Sequence, residues 1–134
     1  MHIPERPLRV LVVEDDPDTA DAVRAVLARW GHDARTAGDA TTGLDLAARF
    51  RPDLALLDLS LPDVDGFEVA RRIRELPGPD PVLVAATGFD RHAVRLAARE
   101  VGFDHFLPKP FHLAELRAIV SAAAQARAAV ATSC

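Results

Sequence analysis

Short apolar runs alternate along the chain with longer segments whose apolar residues recur every three or four positions. A short apolar run bounded by turn residues is typical of a strand buried on both faces, whereas the longer spacing predicts an amphipathic helix. The predicted strands are 8–13, 33–37, 53–58, 82–87 and 104–107. The predicted helices are 17–30, 39–50, 65–76, 90–101 and 112–129.

The helical spacing also predicts which side chains face a core. In chain order these are Val23, Val26, Leu27, Trp30, Ala40, Leu44, Ala47, Ala48, Phe67, Ala70, Ile73, Leu76, Val94, Ala97, Ala98, Val101, Leu113, Leu116, Ile119, Val120 and Ala123. Gly31 is expected to end the first helix, because glycine tolerates the left-handed conformation common just past a helix. Asp16 is expected to begin it, because an acid near a helix N-terminus interacts favourably with the helix dipole.

Five alternating strand–helix units indicate an α/β protein with a doubly wound parallel sheet, helices on both faces and right-handed crossovers. We expect one domain over residues 1–134, with its core at about 8–125. The alanine-rich segment 126–134 is expected to extend the last helix and then fray, or to be the stub of a linker.

Composition and charge narrow the function classes. The 16 basic residues are outnumbered by 20 acidic ones, and the net charge of −4 gives no global attraction to nucleic acid or an anionic membrane. No apolar run approaches the roughly 18 residues of a membrane span, and the opening segment lacks the pattern of a signal peptide. We therefore expect a cytoplasmic protein. Cys134 is the only cysteine, so no internal disulfide can form.

Chemistry-bearing residues follow the predicted strands. Glu14 and Asp15 come directly after the first strand, and Asp58 ends the third. Thr87 ends the fourth strand, and Lys109 follows the fifth. Because ligands bind outside the carboxyl ends of strands in an open parallel sheet, we expect these side chains to form one site.

The residue types suit phosphoryl transfer. Neighbouring carboxylates repel one another, and Mg²⁺ held by few carboxylates and waters removes that conflict. Asp58 can then act as a nucleophile and form an aspartyl phosphate. The Thr87 hydroxyl and the Lys109 ammonium would contact the new phosphoryl oxygens, which supplies the positioning and charge neutralisation that this chemistry needs.

Four motifs carry a family resemblance. The segments VLVVEDDPD, LLDLSLPDVDG, AATG and LPKPF, in this order and spacing, resemble the receiver domain of response regulators over about residues 8–125. The resemblance implies a flavodoxin-like (βα)₅ fold with strand order 2-1-3-4-5. It also implies a phosphorylation-controlled switch of two-component signalling that catalyses only its own phosphorylation and dephosphorylation, rather than an enzyme.

The resemblance implies a role for each residue of the metal site. Asp58 matches the phosphorylated aspartate, and Asp15 matches the direct Mg²⁺ ligand. Glu14 matches the second acid, which acts through water, and Ser60 matches the position whose backbone carbonyl binds the metal. Mn²⁺ is expected to substitute for Mg²⁺.

The same resemblance assigns the response to phosphorylation. Thr87 and Lys109 match the pair that contacts the phosphoryl group, and Lys109-Pro110 resembles the cis peptide that aims the lysine into the site. Phe106 matches an aromatic switch position that turns inward when Thr87 moves. Pro108 departs from the expected pattern and removes a backbone donor at the end of the fifth strand.

Four loop positions bear on the geometry and lifetime of the site. Pro62 and Gly66 are expected to shape the loop after Asp58, with Gly66 needing positive φ or a close approach of neighbouring atoms. Ser60 and Phe89 each lie two residues past Asp58 and Thr87, respectively. An apolar Phe89 cannot orient an attacking water, so we predict slow self-dephosphorylation.

The implied partners are a histidine kinase or phosphotransfer protein and a downstream protein target. The chain would be a single-domain regulator or the terminal receiver of a hybrid kinase, and a homodimer through the fourth helix, fifth strand and fifth helix is a further expectation.

The fourth helix carries three arginines at a spacing of four residues, which are expected to form a solvated face or part of a partner surface: Arg91, Arg95 and Arg99. The histidines lack metal-ligand spacing and are expected at the surface or at helix caps; they are His2, His32, His92, His105 and His112.

Two other functions stay open. One is a phosphatase-like hydrolase with Asp58 as nucleophile, although Ser60 stands where such enzymes usually carry a second acid. The other is an interaction module with this fold that is never phosphorylated. A dinucleotide-binding domain is excluded, because no G-x-G-x-x-G follows the first strand.

Overall fold

The computed structural model describes residues 7–61, 64–88, 92–110 and 112–132. Five strands alternate with five helices in this part of the chain. The strands are β1 (Arg9–Val13), β2 (Asp33–Ala37), β3 (Leu54–Asp58), β4 (Val82–Thr87) and β5 (His105–Pro108). The helices are α1 (Pro17–Arg29), α2 (Ala40–Phe50), α3 (Gly66–Glu75), α4 (His92–Val101) and α5 (Leu113–Thr132). All ten predicted elements are present and differ from the predictions only at their ends.

The strands form one parallel sheet in the order β2-β1-β3-β4-β5, which confirms the expected fold and order. Val13 pairs with Leu57 at the carboxyl ends of β1 and β3. Asp58 pairs with Ala86, which precedes the last residue of β4. The ends of the three central strands therefore lie side by side at one edge of the sheet.

Two apolar layers cover the two faces of the sheet, and β3 contributes to both. Leu54 and Leu56 pack in the layer that includes α1 and α5 residues, whereas Ala55 and Leu57 pack in the layer with α2, α3 and α4. All five residues of β3 are buried, which explains why its sequence is apolar without alternation. This burial fixes the register of the strand that ends in Asp58.

Aspartate caps hold the turns that lead from strands into helices. Asp16 is the N-cap of α1 as expected, and its carboxylate accepts a hydrogen bond from the Thr19 backbone N–H at 3.2 Å. Asp65 caps α3 in the same way, accepting from the Glu68 N–H at 2.9 Å. Both caps fasten segments that adjoin the carboxyl edge of the sheet.

Two burial predictions were wrong, and a third was correct only in part. Ala48 is exposed, because the buried stripe of α2 runs through Gly43, Ala47 and Phe50 instead. Leu113 is also exposed, because it lies in the first turn of α5, before the buried stripe begins. His32 was expected at the surface or at a helix cap: it is buried, but its backbone N–H does cap the end of α1 by donating to the Leu27 carbonyl at 3.0 Å. Its Nδ1 accepts a hydrogen bond from the Leu8 N–H at 3.0 Å.

The end of α1 explains the burial of His32. Gly31 has φ +94°, as expected of a residue that ends a helix, and it turns the chain back toward β1.

At the other end of the chain, α5 continues to Thr132. The predictions for His2, Pro62, Phe89, Arg91 and Cys134 concern residues outside those described. Within the described ranges, no helix combines the length and apolar character that crossing a bilayer requires.

Candidate functional site

Three carboxylates meet at the carboxyl edge of the sheet. One oxygen of each of Glu14, Asp15 and Asp58 lies within 4.8 Å of the others. Glu14 and Asp58 are buried, whereas Asp15 is exposed. The cluster forms because Glu14 and Asp15 follow β1 and Asp58 ends the adjacent strand β3. The arrangement thus has a buried floor and a side open to solvent.

Lys109 follows β5 and reaches into this cluster across the end of β4, which lies between β5 and β3. Its Nζ donates hydrogen bonds to Glu14 Oε1 at 2.6 Å and to Asp58 Oδ2 at 3.3 Å. The Lys109-Pro110 peptide is cis, as expected. The Lys109 N–H donates to the Thr87 carbonyl at 2.7 Å, so the β4–β5 ladder continues past Pro108 despite the missing proline donor.

The electrostatics of the cluster favour an added cation. Burial and hydrogen bonding to Asp58 raise the pKa of Glu14 from 4.5 to about 7, against the opposing effect of Lys109. Burial alone would lower the pKa of Lys109, but the hydrogen bond to Glu14 and the charge of Asp58 outweigh it and raise that pKa. One ammonium therefore does not fully compensate the neighbouring carboxylates, and a divalent cation would relieve the remaining repulsion.

Backbone contacts hold the Asp58 loop in place. The Ser60 N–H donates to Asp58 Oδ1 at 2.9 Å, and the Leu59 N–H donates to the Ala86 carbonyl at 3.0 Å. A Cβ on Gly66 would lie 2.4 Å from the Asp58 carbonyl oxygen, so the expected close approach at this glycine is present. The first turn of α3 thus packs directly against the backbone of Asp58.

Thr87 and Phe106 lie on the neighbouring strands. Thr87 is buried at the end of β4, one residue past Ala86, the partner of Asp58. Phe106 is half-buried on β5, and the Arg95 guanidinium carbon lies 4.7 Å from the centre of its ring. Arg95 was predicted to belong to a solvated face or a partner surface, and the structure shows that its guanidinium also covers the ring of Phe106.

Some residues of this site were not predicted. Thr19 and Ala86 line a cavity of about 10 Å³, roughly one water molecule, between Asp58 and α1. The contact of Arg95 with Phe106 also had no sequence signal, because it depends on how α4 packs against β5. Ala86 acts through its backbone carbonyl, which accepts from the Leu59 N–H, and backbone roles leave little trace in residue type.

Comparisons with known proteins agree with this geometry. The response regulator receiver domain family matches residues 10–121. Response regulator MprA of Mycobacterium sp. strain KMS is 41% identical over 112 residues, which are 84% of this chain and 48% of that protein. MprA of Mycobacterium leprae is 38% identical over 115 residues, covering 86% of this chain and 50% of that protein. The chain spans about half the length of the curated relatives it matches.

Solved structures show the same fold. The N-terminal domain of an uncharacterized protein from Wolinella succinogenes superposes with a TM-score of 0.84 at 27% identity, covering 91% of this chain and 98% of that one. A CheY-like receiver domain from Methanospirillum hungatei gives a TM-score of 0.81 at 26% identity, covering 87% and 92%. With the family match over most of the chain, these likenesses show that the protein belongs to the response regulator receiver domain family of two-component signalling.

Proposed function

We propose that Asp58 accepts a phosphoryl group from a histidine kinase or a histidine phosphotransfer protein. The observation that carries the proposal is the position of the Asp58 carboxylate, which is buried between two further acids and the Lys109 ammonium. In the reaction, a carboxylate oxygen of Asp58 would attack phosphorus while the bond to the donor nitrogen breaks. The product is an aspartyl phosphate at the floor of the site.

The donor set fits a magnesium ion. Hard carboxylate oxygens that converge at one open-sided site are the ligands that Mg²⁺ prefers, and Mn²⁺ accepts the same set. In this proposal Asp15 and Asp58 bind the ion directly, Glu14 acts through water, and Ser60 contributes its backbone carbonyl. The ion supplies positive charge that offsets the carboxylates and the incoming phosphoryl oxygens.

The protein's own side chains would do the rest. The Lys109 ammonium already contacts Asp58, so it needs only a small movement to contact a phosphoryl oxygen on that carboxylate. The Thr87 hydroxyl would contact a second oxygen from β4. Contacts of Ser60 and Gly66 with Asp58 keep the nucleophile oriented before the donor arrives. Pro62 and Pro110 complete the proposed structural set around these loops.

Signalling would follow from the added charge. Phosphorylation places about −1.5 to −2 charges at Asp58, which draws Thr87 toward the phosphoryl group. Phe106 would then move inward on β5, and the surface of α4, β5 and α5 would change its affinity for a downstream protein or a second copy of the chain. Receiver domains are signalling switches rather than classical enzymes, and self-catalysed phosphorylation and dephosphorylation are the only catalysis in this proposal.

The cellular setting is also part of the proposal. The domain would work as a single-domain regulator or as the receiver part of a longer protein such as a hybrid kinase. Its output would be protein contact, without direct binding to nucleic acid. A cytoplasmic location fits the need for a phosphorylated donor protein and free Mg²⁺.

The test is incubation with acetyl phosphate and Mg²⁺, followed by intact mass spectrometry. We expect one added phosphoryl group, no addition without a divalent ion, and restored addition with Mn²⁺. Asp58→Asn should abolish the addition, whereas the control Asp45→Asn, an exposed acid on α2, should leave it unchanged. No addition to the wild type would contradict the proposal and favour an interaction module. Sustained turnover of p-nitrophenyl phosphate would instead favour the phosphatase.

A further inference from the structure

A second cavity lies at the opposite edge of the sheet from Asp58. Its volume is about 180 Å³, and it lies where Arg9 begins β1 and where Asp53 and Pro81 precede β3 and β4. Ile73 and Leu76, from α3 and the turn that follows it, give it an apolar wall. A cavity of about 150 Å³ is large enough to hold benzene, so this space can take a small ring.

Three arginines surround the cavity. Arg9, Arg51 and Arg127 line it together with one carboxylate, that of Asp53, so positive charges exceed negative ones by two. Asp53 lies 3.9 Å from Arg9 Nε and 3.8 Å from an Arg127 nitrogen, which are ion-pair distances too long for hydrogen bonds. Within the described ranges, none of the three guanidinium groups donates a hydrogen bond to the protein.

The backbone at Arg51 is an independent observation. Arg51 has φ 52° and ψ 69°, the left-handed conformation that glycine or asparagine usually occupies after a helix. This conformation is disfavoured for a side chain with a Cβ, and such outliers concentrate at functional positions. The chain thus ends α2 with an arginine whose guanidinium stands beside Gly78 at the rim of the cavity.

We propose that this arginine-lined cavity binds a small organic anion. The apolar body of the ligand would lie against Ile73 and Leu76, and its carboxylate would bind the guanidinium groups. A planar guanidinium matches a carboxylate with two parallel hydrogen bonds, and the unused donors of Arg9, Arg51 and Arg127 meet that need. The ligand would connect the end of α2 with β1 and α5. This proposal does not depend on phosphorylation at Asp58.

The test uses benzoate as the probe in an NMR titration of the ¹⁵N-labelled chain. We expect saturable shifts at the amides of Arg51, Ile73 and Leu76, with a millimolar or tighter dissociation constant. Benzyl alcohol lacks the charge, and one charged hydrogen-bonded contact is worth about a factor of ten or more. Acetate keeps the charge but lacks the ring, and burying an apolar ring against Ile73 and Leu76 is worth at least about as much. Each control ligand should therefore bind at least about tenfold more weakly than benzoate. Equal binding of either control ligand would overturn the proposal.

Matched variants complete the test. Arg51→Gln and Arg127→Gln should each weaken benzoate binding about tenfold. Arg24→Gln is the control, because Arg24 is an exposed arginine of α1 that pairs with Asp21 and does not line the cavity. Spectra of the variants away from the cavity should match the wild type, which shows that they fold. Absence of saturable shifts, or binding that the two cavity variants leave unchanged, would overturn the proposal and leave Arg9 and Arg127 as ion-pair partners of Asp53 only.

Discussion

A glycine eight residues after Asp58 lets α3 pack against the Asp58 backbone. Because a Cβ at Gly66 would meet the Asp58 carbonyl oxygen at 2.4 Å, α3 must shift if any side chain is added. We predict that Gly66→Ala lowers the free energy of unfolding by about 1–3 kcal/mol, the usual cost of overpacking. It should also slow phosphorylation by acetyl phosphate. Urea unfolding and intact mass spectrometry measure the two effects.

Gly38 offers the matched control for that substitution. A Cβ at Gly38 would meet nothing within 4 Å, and its φ lies outside the left-handed region. Gly38→Ala should therefore leave phosphorylation unchanged and keep or slightly raise stability, because alanine restricts the unfolded chain. Equal effects of the two substitutions would contradict the close-approach explanation.

Phe89 concerns the lifetime of the proposed aspartyl phosphate. Two residues past Thr87, an apolar side chain cannot orient a water molecule for attack on phosphorus, whereas a carboxylate can. We predict that Phe89→Glu loses its phosphoryl group faster than the wild type, while the control Phe89→Leu behaves like the wild type. The decay of the phosphorylated mass with time measures both. Equal rates of phosphoryl loss in all three proteins would show that the residue at position 89 does not set the lifetime.

At the scale of elements, Arg74 joins three segments. Its guanidinium donates to the Pro81 carbonyl at 3.0 Å, before β4, and to Asp104 at 3.2 Å, before β5. Asp104 in turn accepts from the Leu83 N–H at 2.8 Å. The forked guanidinium of Arg74 thus connects the end of α3 to the starts of β4 and β5. A lysine ammonium is one compact charge and cannot make both contacts in this geometry.

We predict that Arg74→Lys lowers the free energy of unfolding by about 1–3 kcal/mol, the range for hydrogen bonds that involve charged groups. Arg71→Lys is the control, because Arg71 pairs with Glu68 on the exposed face of the same helix and such pairs contribute about 0–1 kcal/mol. Urea midpoints of both variants, with unchanged slopes, provide the comparison. Equal losses would show that the fork contributes no more than a surface ion pair.

The elements were predictable to different degrees for physical reasons. The strand β3 could be predicted from the sequence because a strand buried on both faces needs a continuous apolar run. The convergence of Glu14, Asp15 and Asp58 could be predicted because the carboxyl ends of parallel strands lie at the same edge of the sheet. The burial of His32 could not be predicted, because it depends on a hydrogen bond to Leu8, 24 residues away. Local periodicity carries no information about such long-range partners.

The same limit applies to side-chain contacts between elements. The contact between Arg95 and Phe106 arises from how α4 packs against the sheet. The arginine-lined cavity, at the end of the sheet opposite Asp58, likewise depends on how the helices pack on the strands. Each arginine alone looks like an ordinary surface charge in the sequence. Leu113 was misplaced for a related reason, since a helical stripe does not say at which turn the helix begins to touch the core.

At the scale of the whole molecule, the site couples ionisation to folding. In the unfolded chain Glu14 releases its proton near pH 4.5, whereas the folded protein holds it until about pH 7. Between these values the folded state binds more protons, so the stability that Glu14 contributes is fully present below pH 4.5 and is lost as pH rises through 7. We predict this loss in metal-free protein, and we predict that Mg²⁺ reverses it by binding the ionised acids.

Urea midpoints at about pH 5 and about pH 8, with and without Mg²⁺, measure this coupling. Glu14→Gln cannot titrate at this position, so the metal-free variant should lose less stability over the same pH range and should gain less from Mg²⁺. A pH dependence identical in the two proteins would contradict the assignment of the titration to Glu14.

The central claim is that Asp58 is the residue that accepts the phosphoryl group. The most direct measurement treats the protein with acetyl phosphate and Mg²⁺, reduces the product with borohydride, and maps the modified peptide by mass spectrometry. We predict that the reduced residue is at position 58 and nowhere else. Modification at another residue of the wild-type protein, or no modified peptide at all, would contradict the account.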